Sequence, residues 1–200
     1  MNLSGYLRQS AEVLEAAVEH WKDDLVQNAI DAICGAFAGG KSLLVCGNGG
    51  SASDAMHITG ELVGRFLKER KALRAICLSS NPSVLTAWAN DYSFDSVFSR
   101  QVEAYGEEGG VILGISTSGN STNVVRAFEQ ARAQGMKTIA LTGQGGGLLA
   151  LVSDHLFAVP SRSTPHIQQV HICLYHYLCG EIEARLTDDR KAAPDTNRWL

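Results

Sequence analysis

Two hundred residues are enough for one domain with a sizeable buried core, and 45% hydrophobic with 19% charged residues is an ordinary globular composition. Seventeen Lys and Arg against 21 Asp and Glu leave a formal net charge of -4, which excludes nucleic acid as an electrostatically favoured partner. The densest basic run, Lys68 to Arg74, is broken by Glu69 and apolar residues and reads as a solvated helix end.

The chain opens on a helical stretch, residues 3–38. Leu14, Val18, Trp21 and Leu25 recur at spacings of three and four, and Ile30, Ile33, Ala36 and Phe37 continue the pattern. A break near Trp21 to Asp24 makes two helices of it. From residue 42 short apolar runs alternate with Gly- and Ser-rich turns and longer helical stretches. The runs Ser42–Cys46, Ala75–Leu78, Val111–Ile115, Thr138–Leu141 and His155–Val159 are rich in Val, Ile and Leu and apolar on both faces. Strands of a parallel sheet covered by helices on both sides read this way. Helices are expected over 51–68, 82–104 (with a break near Asn90), 121–134, 146–152 and 164–186. The alternation predicts an α/β domain, a three-layer doubly wound sheet of five parallel strands preceded by N-terminal helices. The expected organisation is a helical segment at 1–38 serving oligomerisation, a sheet domain at 39–187, and a loose tail at 188–200.

The cysteines, Cys34, Cys46, Cys77, Cys173 and Cys179, form no C-x-x-C pair and mostly sit in apolar runs, as reduced thiols do. No basic segment followed by an apolar stretch opens the sequence, and no apolar run approaches the roughly 18 residues of a membrane span. A cytoplasmic protein without membrane contact is the expectation.

In a doubly wound sheet, ligands bind beyond the carboxyl ends of the strands. Two loops there are unusual: Cys46-Gly47-Asn48-Gly49-Gly50-Ser51-Ala52 and Ser116-Thr117-Ser118-Gly119-Asn120-Ser121. Glycine lets a backbone approach a ligand closely, and free N–H groups at a helix N-terminus favour an anion. The hydroxyls of Ser51, Ser116, Thr117, Ser118 and Ser121 add donors. Neither loop is a nucleotide fingerprint, because both lack G-x-x-x-x-G-K-[ST] and G-x-G-x-x-G with a distal acid. Without basic clamps, the pair points to a monophosphate held by backbone and hydroxyls.

Beyond the first loop, His57 and Glu61 lie four apart and share one helix face. That pair fits zinc or a similar divalent ion, or a proton-transfer couple. Gln168, His171 and His176 sit in the last long helix, where His166 and His171 read as structural histidines.

These residues carry a resemblance. G-N-G-G-S-A-S-D-A-M-H-I-T-G-E at 47–61, A-N-D-Y at 89–92, F-S-R-Q-V-E-A at 98–104 and I-S-T-S-G-N-S at 115–121 resemble the signature of the phosphoheptose isomerases, SIS-domain proteins. L-T-G-Q-G-G-G at 141–147, T-P-H-I-Q-Q-V-H at 164–171 and Y-H-Y-L-C-G at 175–180 extend the match over nearly the whole chain. The resemblance implies interconversion of sedoheptulose 7-phosphate and D-glycero-D-manno-heptose 7-phosphate, the first step toward activated heptose for bacterial surface polysaccharide. It implies that Asn48, Gly49, Gly50, Asn90 and Asp91 touch substrate, and that Ser116, Thr117, Ser118 and Ser121 hold its phosphate with Ser51 nearby. His57, Glu61, Gln168 and His176 would bind a metal, usually zinc, with Gln168 also near substrate and Glu61 and His176 as acid–base residues. Homotetramers with sites at subunit interfaces are implied as well. Where relatives tend to carry an acidic residue after the second strand, this chain reads Ser79-Ser80-Asn81-Pro82-Ser83.

Gln168 and His176 are eight residues apart, about 12 Å of rise and roughly 80° of rotation in a continuous helix. Either that helix is interrupted or a neighbouring chain supplies one of the groups, and the resemblance favours the neighbour. The competing expectation is a non-catalytic SIS-domain binding protein, resembling the factor that associates with the DnaA initiator. It is disfavoured because Glu61 and His176 are both present. A sugar-phosphate-sensing transcriptional regulator would need a DNA-binding domain for which there is neither room nor basic charge.

Overall fold

The computed structural model describes residues 2–187, so the tail expected over 188–200 lies outside the described residues. Asn2 accepts the Gly5 N–H at 2.9 Å to start α1 (Leu3–His20). After the break, Asp23 and Asp24 place negative charge in the first turn of α2 (Asp23–Ala38). Strand and helix then alternate: β1 (Leu43–Gly47), α3 (Gly50–Val63), β2 (Ala75–Cys77), α4 (Pro82–Asp91), α5 (Val97–Tyr105), β3 (Val111–Ser116), α6 (Thr122–Ala133), β4 (Lys137–Thr142), β5 (His155–Ala158) and α7 (Thr164–Leu186).

All strand pairings are parallel, in the order β2-β1-β3-β4-β5. Alternate strand residues feed two cores. Leu43, Val45, Val111, Leu113 and Ile115 face α2, α3 and α7, whereas Leu44, Cys46, Ile112 and Ala140 face α5 and α6. The expected sheet and layers are therefore present.

Three details differ from the sequence reading. The helix expected to reach residue 68 ends at Val63, because Gly64 follows and the next N–H groups go elsewhere: the carboxylate of Glu183 accepts those of Phe66, Leu67 and Lys68. Within the supposedly solvated basic run, Arg70 is only 4% exposed and meets Glu183, 1% exposed, at 3.0 Å. The 146–152 segment forms a 3-10 helix, Gly147–Leu151.

The N-terminal helices are continuous with the main core. Ile30 and Ile33 of α2 are fully buried in it, and Trp21 donates from Nε1 to the Ala158 carbonyl at 3.2 Å while meeting Phe157 edge-on at 5.6 Å. Leu3, Leu7 and Val18 of α1 stay exposed.

Candidate active site

The sheet order reverses between β1 and β3, so the loops after these strands diverge and leave a crevice between them. Asn48 and Asn123 span it with reciprocal amide hydrogen bonds of 2.9 Å, tying the first loop to the first turn of α6. Among the described residues no side chain caps the N-terminus of α3 or of α6. At α6 the capping position is Ser121, whose hydroxyl would ordinarily cover a first-turn N–H. It turns instead to Ser116 Oγ at 2.8 Å, and Ser116 Oγ lies 3.4 Å from Ser118 Oγ. Three hydroxyls thus cluster beside a helix start whose donors the chain leaves uncapped, the arrangement that receives a phosphate. Ser51 and Ser116 are buried, Thr117 and Ser121 half-buried, Ser118 exposed.

The second loop is held by backbone proximity. Gly119 has φ +67°, and a Cβ there would come within 2.0 Å of the Gly146 carbonyl, so only glycine lets 116–121 rest on the 143–147 turn. In the first loop, a Cβ on Gly50 would meet Gln168 Nε2 at 2.4 Å, which places the Gln168 amide directly over the start of α3.

Helices α3 and α7 run side by side from there. Gly50 meets Gln168 and His57 meets Tyr175, the same sequence offset in both contacts, so the two helices are parallel and in register. Two turns along, the pair gathers His57, Glu61 and His176, whose ligating atoms all lie within 4.8 Å of one another. His57 Nε2 donates to Glu61 Oε1 at 3.0 Å, its Nδ1 lies 2.9 Å from the Tyr175 hydroxyl, and its ring meets that of His176 at 5.0 Å. His176 stacks flat on Phe66 at 5.6 Å. Burial holds the His176 imidazole below its ordinary range, and His57 adds to the effect while Glu61 opposes it. Behind them, burial raises the Asp54 carboxyl, offset by Tyr175 and His57, and Asp54 Oδ2 is buried without a partner among the described residues.

One chain therefore brings together three of the four expected ligands. Gln168 stands apart, because α7 is unbroken between it and His176 and the rise of about 12 Å applies. Interruption of the helix is thereby excluded, and Glu61 and His176 meet within one chain. Asn90 and Asp91 are exposed at the end of α4, joined by a 2.9 Å hydrogen bond, on the face of the sheet opposite α3 and α7. After β2, Ser79 bonds both backbone groups of Gly47, at 3.2 and 2.8 Å, and Asn81 caps α4. The acid-free segment thus serves to brace the first loop. His171 is structural, buried and bonded to the Thr142 carbonyl at 3.1 Å, and His166 is buried against Tyr6.

The sequence reading missed Asn123, Asp54 and Tyr175. Asp54 had a signal, since 54, 57 and 61 share one helix face. Asn123 and Tyr175 reach the site only through tertiary contacts.

Comparison with known proteins bears on the same residues. The SIS domain family matches residues 5–143. A phosphoheptose isomerase of Synechocystis sp. is 45% identical over 184 residues, 92% of this chain and 95% of that protein. One from Rhodospirillum rubrum is 55% identical over 149 residues, 74% of this chain and 79% of that protein. The solved phosphoheptose isomerase GmhA of Neisseria gonorrhoeae superposes with TM-score 0.85 at 39% identity, covering 91% of this chain and 97% of that one.

Proposed function

Because the chain belongs to the phosphoheptose isomerase family of SIS-domain proteins, it is an aldose–ketose isomerase, and we propose that it converts sedoheptulose 7-phosphate to D-glycero-D-manno-heptose 7-phosphate through an enediolate. The observation that carries the reading is the cluster of His57, Glu61 and His176 two helical turns from the uncapped loops. Seven residues separate Gly50 from His57, about 10 Å of helix. Eight bonds from C1 to phosphorus span about 9 Å, at the roughly 3.4 Å per three bonds of an extended chain. A phosphate held by Ser116, Thr117, Ser118 and Ser121, with Ser51 nearby, supports presenting C1 and C2 at that depth. Asn48, Gly49, Gly50, Gln168, Asn90 and Asp91 are the proposed further substrate contacts.

Moving a carbonyl between C1 and C2 removes a proton from one carbon and returns it to its neighbour. Glu61 is the proposed carrier, its carboxylate aimed by His57. His176, its imidazole held below the ordinary range mainly by burial and its ring stacked on Phe66, is suited to exchange a proton with the substrate oxygens. Two imidazoles and a carboxylate are the donor set of catalytic zinc sites, and here their ligating atoms lie within 4.8 Å of one another. A zinc or similar ion bound there supplies Lewis-acid stabilisation of the charge that develops on the oxygens. Phosphate binding supplies positioning.

Gln168 completes the proposed ligand set only from a second copy. Exposed Met56 and Val63 on α3 and Ile172 on α7 offer apolar surface beside the cluster that a second copy would cover. A homotetramer of dihedral symmetry, working in the cytoplasm on the route to surface polysaccharide, is the proposed form. No helix among the described residues is long and apolar enough to cross a membrane.

The test is product formation from sedoheptulose 7-phosphate, with and without chelator. Heptose 7-phosphate should appear, vanish on chelation and return with zinc. No product from zinc-loaded protein would overturn the substrate; turnover indifferent to chelation would overturn the metal.

A further inference from the structure

We propose that Tyr175, braced by Asp54, is a positioning residue that fixes the ring and tautomer of His57, so that Nε2 faces Glu61 and the metal position. The proposal rests on the metal-site reading for its role in the reaction, and on the geometry of the three side chains for its existence.

Among the described residues the Tyr175 hydroxyl is the partner of His57 Nδ1, at 2.9 Å, and it also lies 3.5 Å from Asp54 Oδ1. Tyr175 is 1% exposed and Asp54 8%, whereas the His57 side chain is 46% exposed. An imidazole this open is not locked by packing, and a ring flip would exchange the atoms it presents to Glu61. The rigid partner beneath it supplies the lock. A buried tyrosine needs one acceptor for its proton, yet Tyr175 lies between two groups of complementary chemistry, a histidine nitrogen and a carboxylate. Among the described residues Asp54 Oδ2 has no partner and Oδ1 meets the Tyr175 hydroxyl, so bracing Tyr175 is the hydrogen-bonding task seen for this carboxylate.

The protons balance in two states. Without metal, Glu61 accepts from Nε2–H, so Nδ1 carries a lone pair and accepts the Tyr175 proton. With an ion on Nε2, the single imidazole proton resides on Nδ1, exchanged through solvent at the open ring. Tyr175 then turns its oxygen to accept Nδ1–H and donates its own proton to Asp54 Oδ1. The hydroxyl serves both states, which a carbonyl or a carboxylate alone cannot do, since neither is a donor. A hydrogen bond to the distal nitrogen is what orients metal-binding histidines and raises their basicity.

The test uses full-length protein with 15N-labelled histidine and two readouts: the His57 tautomer by NMR, and zinc affinity by competition with a chromophoric chelator. Wild type should hold His57 as the Nε2–H form without metal and the Nδ1–H form with zinc. Tyr175→Phe, which keeps the buried ring, should mix the tautomers and weaken zinc binding by about 10- to 100-fold. Asp54→Ala should weaken it in the same direction, and Asp54→Asn, which keeps an acceptor for the hydroxyl, by less. A folded Tyr175→Phe protein with wild-type tautomer and zinc affinity within twofold overturns the proposal; if that variant does not fold, unchanged values in Asp54→Ala do so. Should wild type bind no zinc, the metal-site reading fails, and the tautomer readout alone still decides whether Tyr175 positions His57.

Discussion

Glu183→Ala should strike both stability and the site from a position that touches no ligand. Glu183, 1% exposed, accepts N–H groups of Phe66, Leu67 and Lys68 at 3.1, 2.7 and 2.9 Å and pairs with Arg70 at 3.0 Å. Arg70 in turn donates to the Glu61 and Leu62 carbonyls at 2.7 and 2.9 Å, closing the end of α3. Truncation strands the Arg70 charge in a buried place along with three backbone donors. Removing one member of a buried pair costs about 3–5 kcal/mol. At roughly 2–4 °C per kcal/mol for a chain of this size, the thermal midpoint should fall by about 6–20 °C. Because the same segment carries Phe66, the platform under His176, isomerase activity per folded molecule should fall as well. Circular dichroism melts at one protein concentration, in chelator, exclude changes in metal and assembly linkage. Adding Arg70→Met to Glu183→Leu should recover part of the loss, since it removes the stranded charge. A midpoint within about 2 °C of wild type, under 1 kcal/mol, would refute the view that this pair closes α3.

Glu61→Gln should reduce turnover by about 100-fold or more with its circular dichroism spectrum unchanged, and more than a tenth of wild-type activity would remove Glu61 as proton carrier. Replacing Ser118 and Ser121 together by Ala should weaken binding of the sugar phosphate much more than that of the unphosphorylated sugar; equal losses, measured by calorimetry, would make the loop structural. Mixing Glu61→Gln with Gln168→Ala subunits after dissociation should restore activity in hybrids, while mixing Glu61→Gln with His176→Ala should not, because those two residues share one chain. Burial lowers the His171 pKa to about 4. Between its ordinary value near 6.5 and 4 the unfolded chain binds a proton that the folded one refuses, so stability declines as pH falls through that window, by about 3 kcal/mol. His171→Asn should flatten that part of the urea-midpoint profile.

Local pattern was enough for the elements and for the loops. Runs such as Val111–Ile115 are apolar at every position because both faces of the strand are covered, and that is visible without knowing by what. The hydroxyl-rich 116–121 loop and the His57–Glu61 pair are likewise legible, since a helix turn places neighbours at fixed spacing. What the local pattern overstated was the helix beyond Val63, where a carboxylate about 116 positions later, Glu183, competes for the same N–H groups. His176 joins His57 and Glu61, Tyr175 reaches His57 across 118 positions, and Asn48 pairs with Asn123 across 75, none of them marked by any period in the sequence. The first two meetings depend on α3 and α7 running parallel and packing in register, the third on the loop after β1 lying beside the start of α6, and the chain direction of every crossover enters into both. Periodicity reports which side of an element is buried; only the packed sheet decides which distant element buries it, and so which side chains share a site.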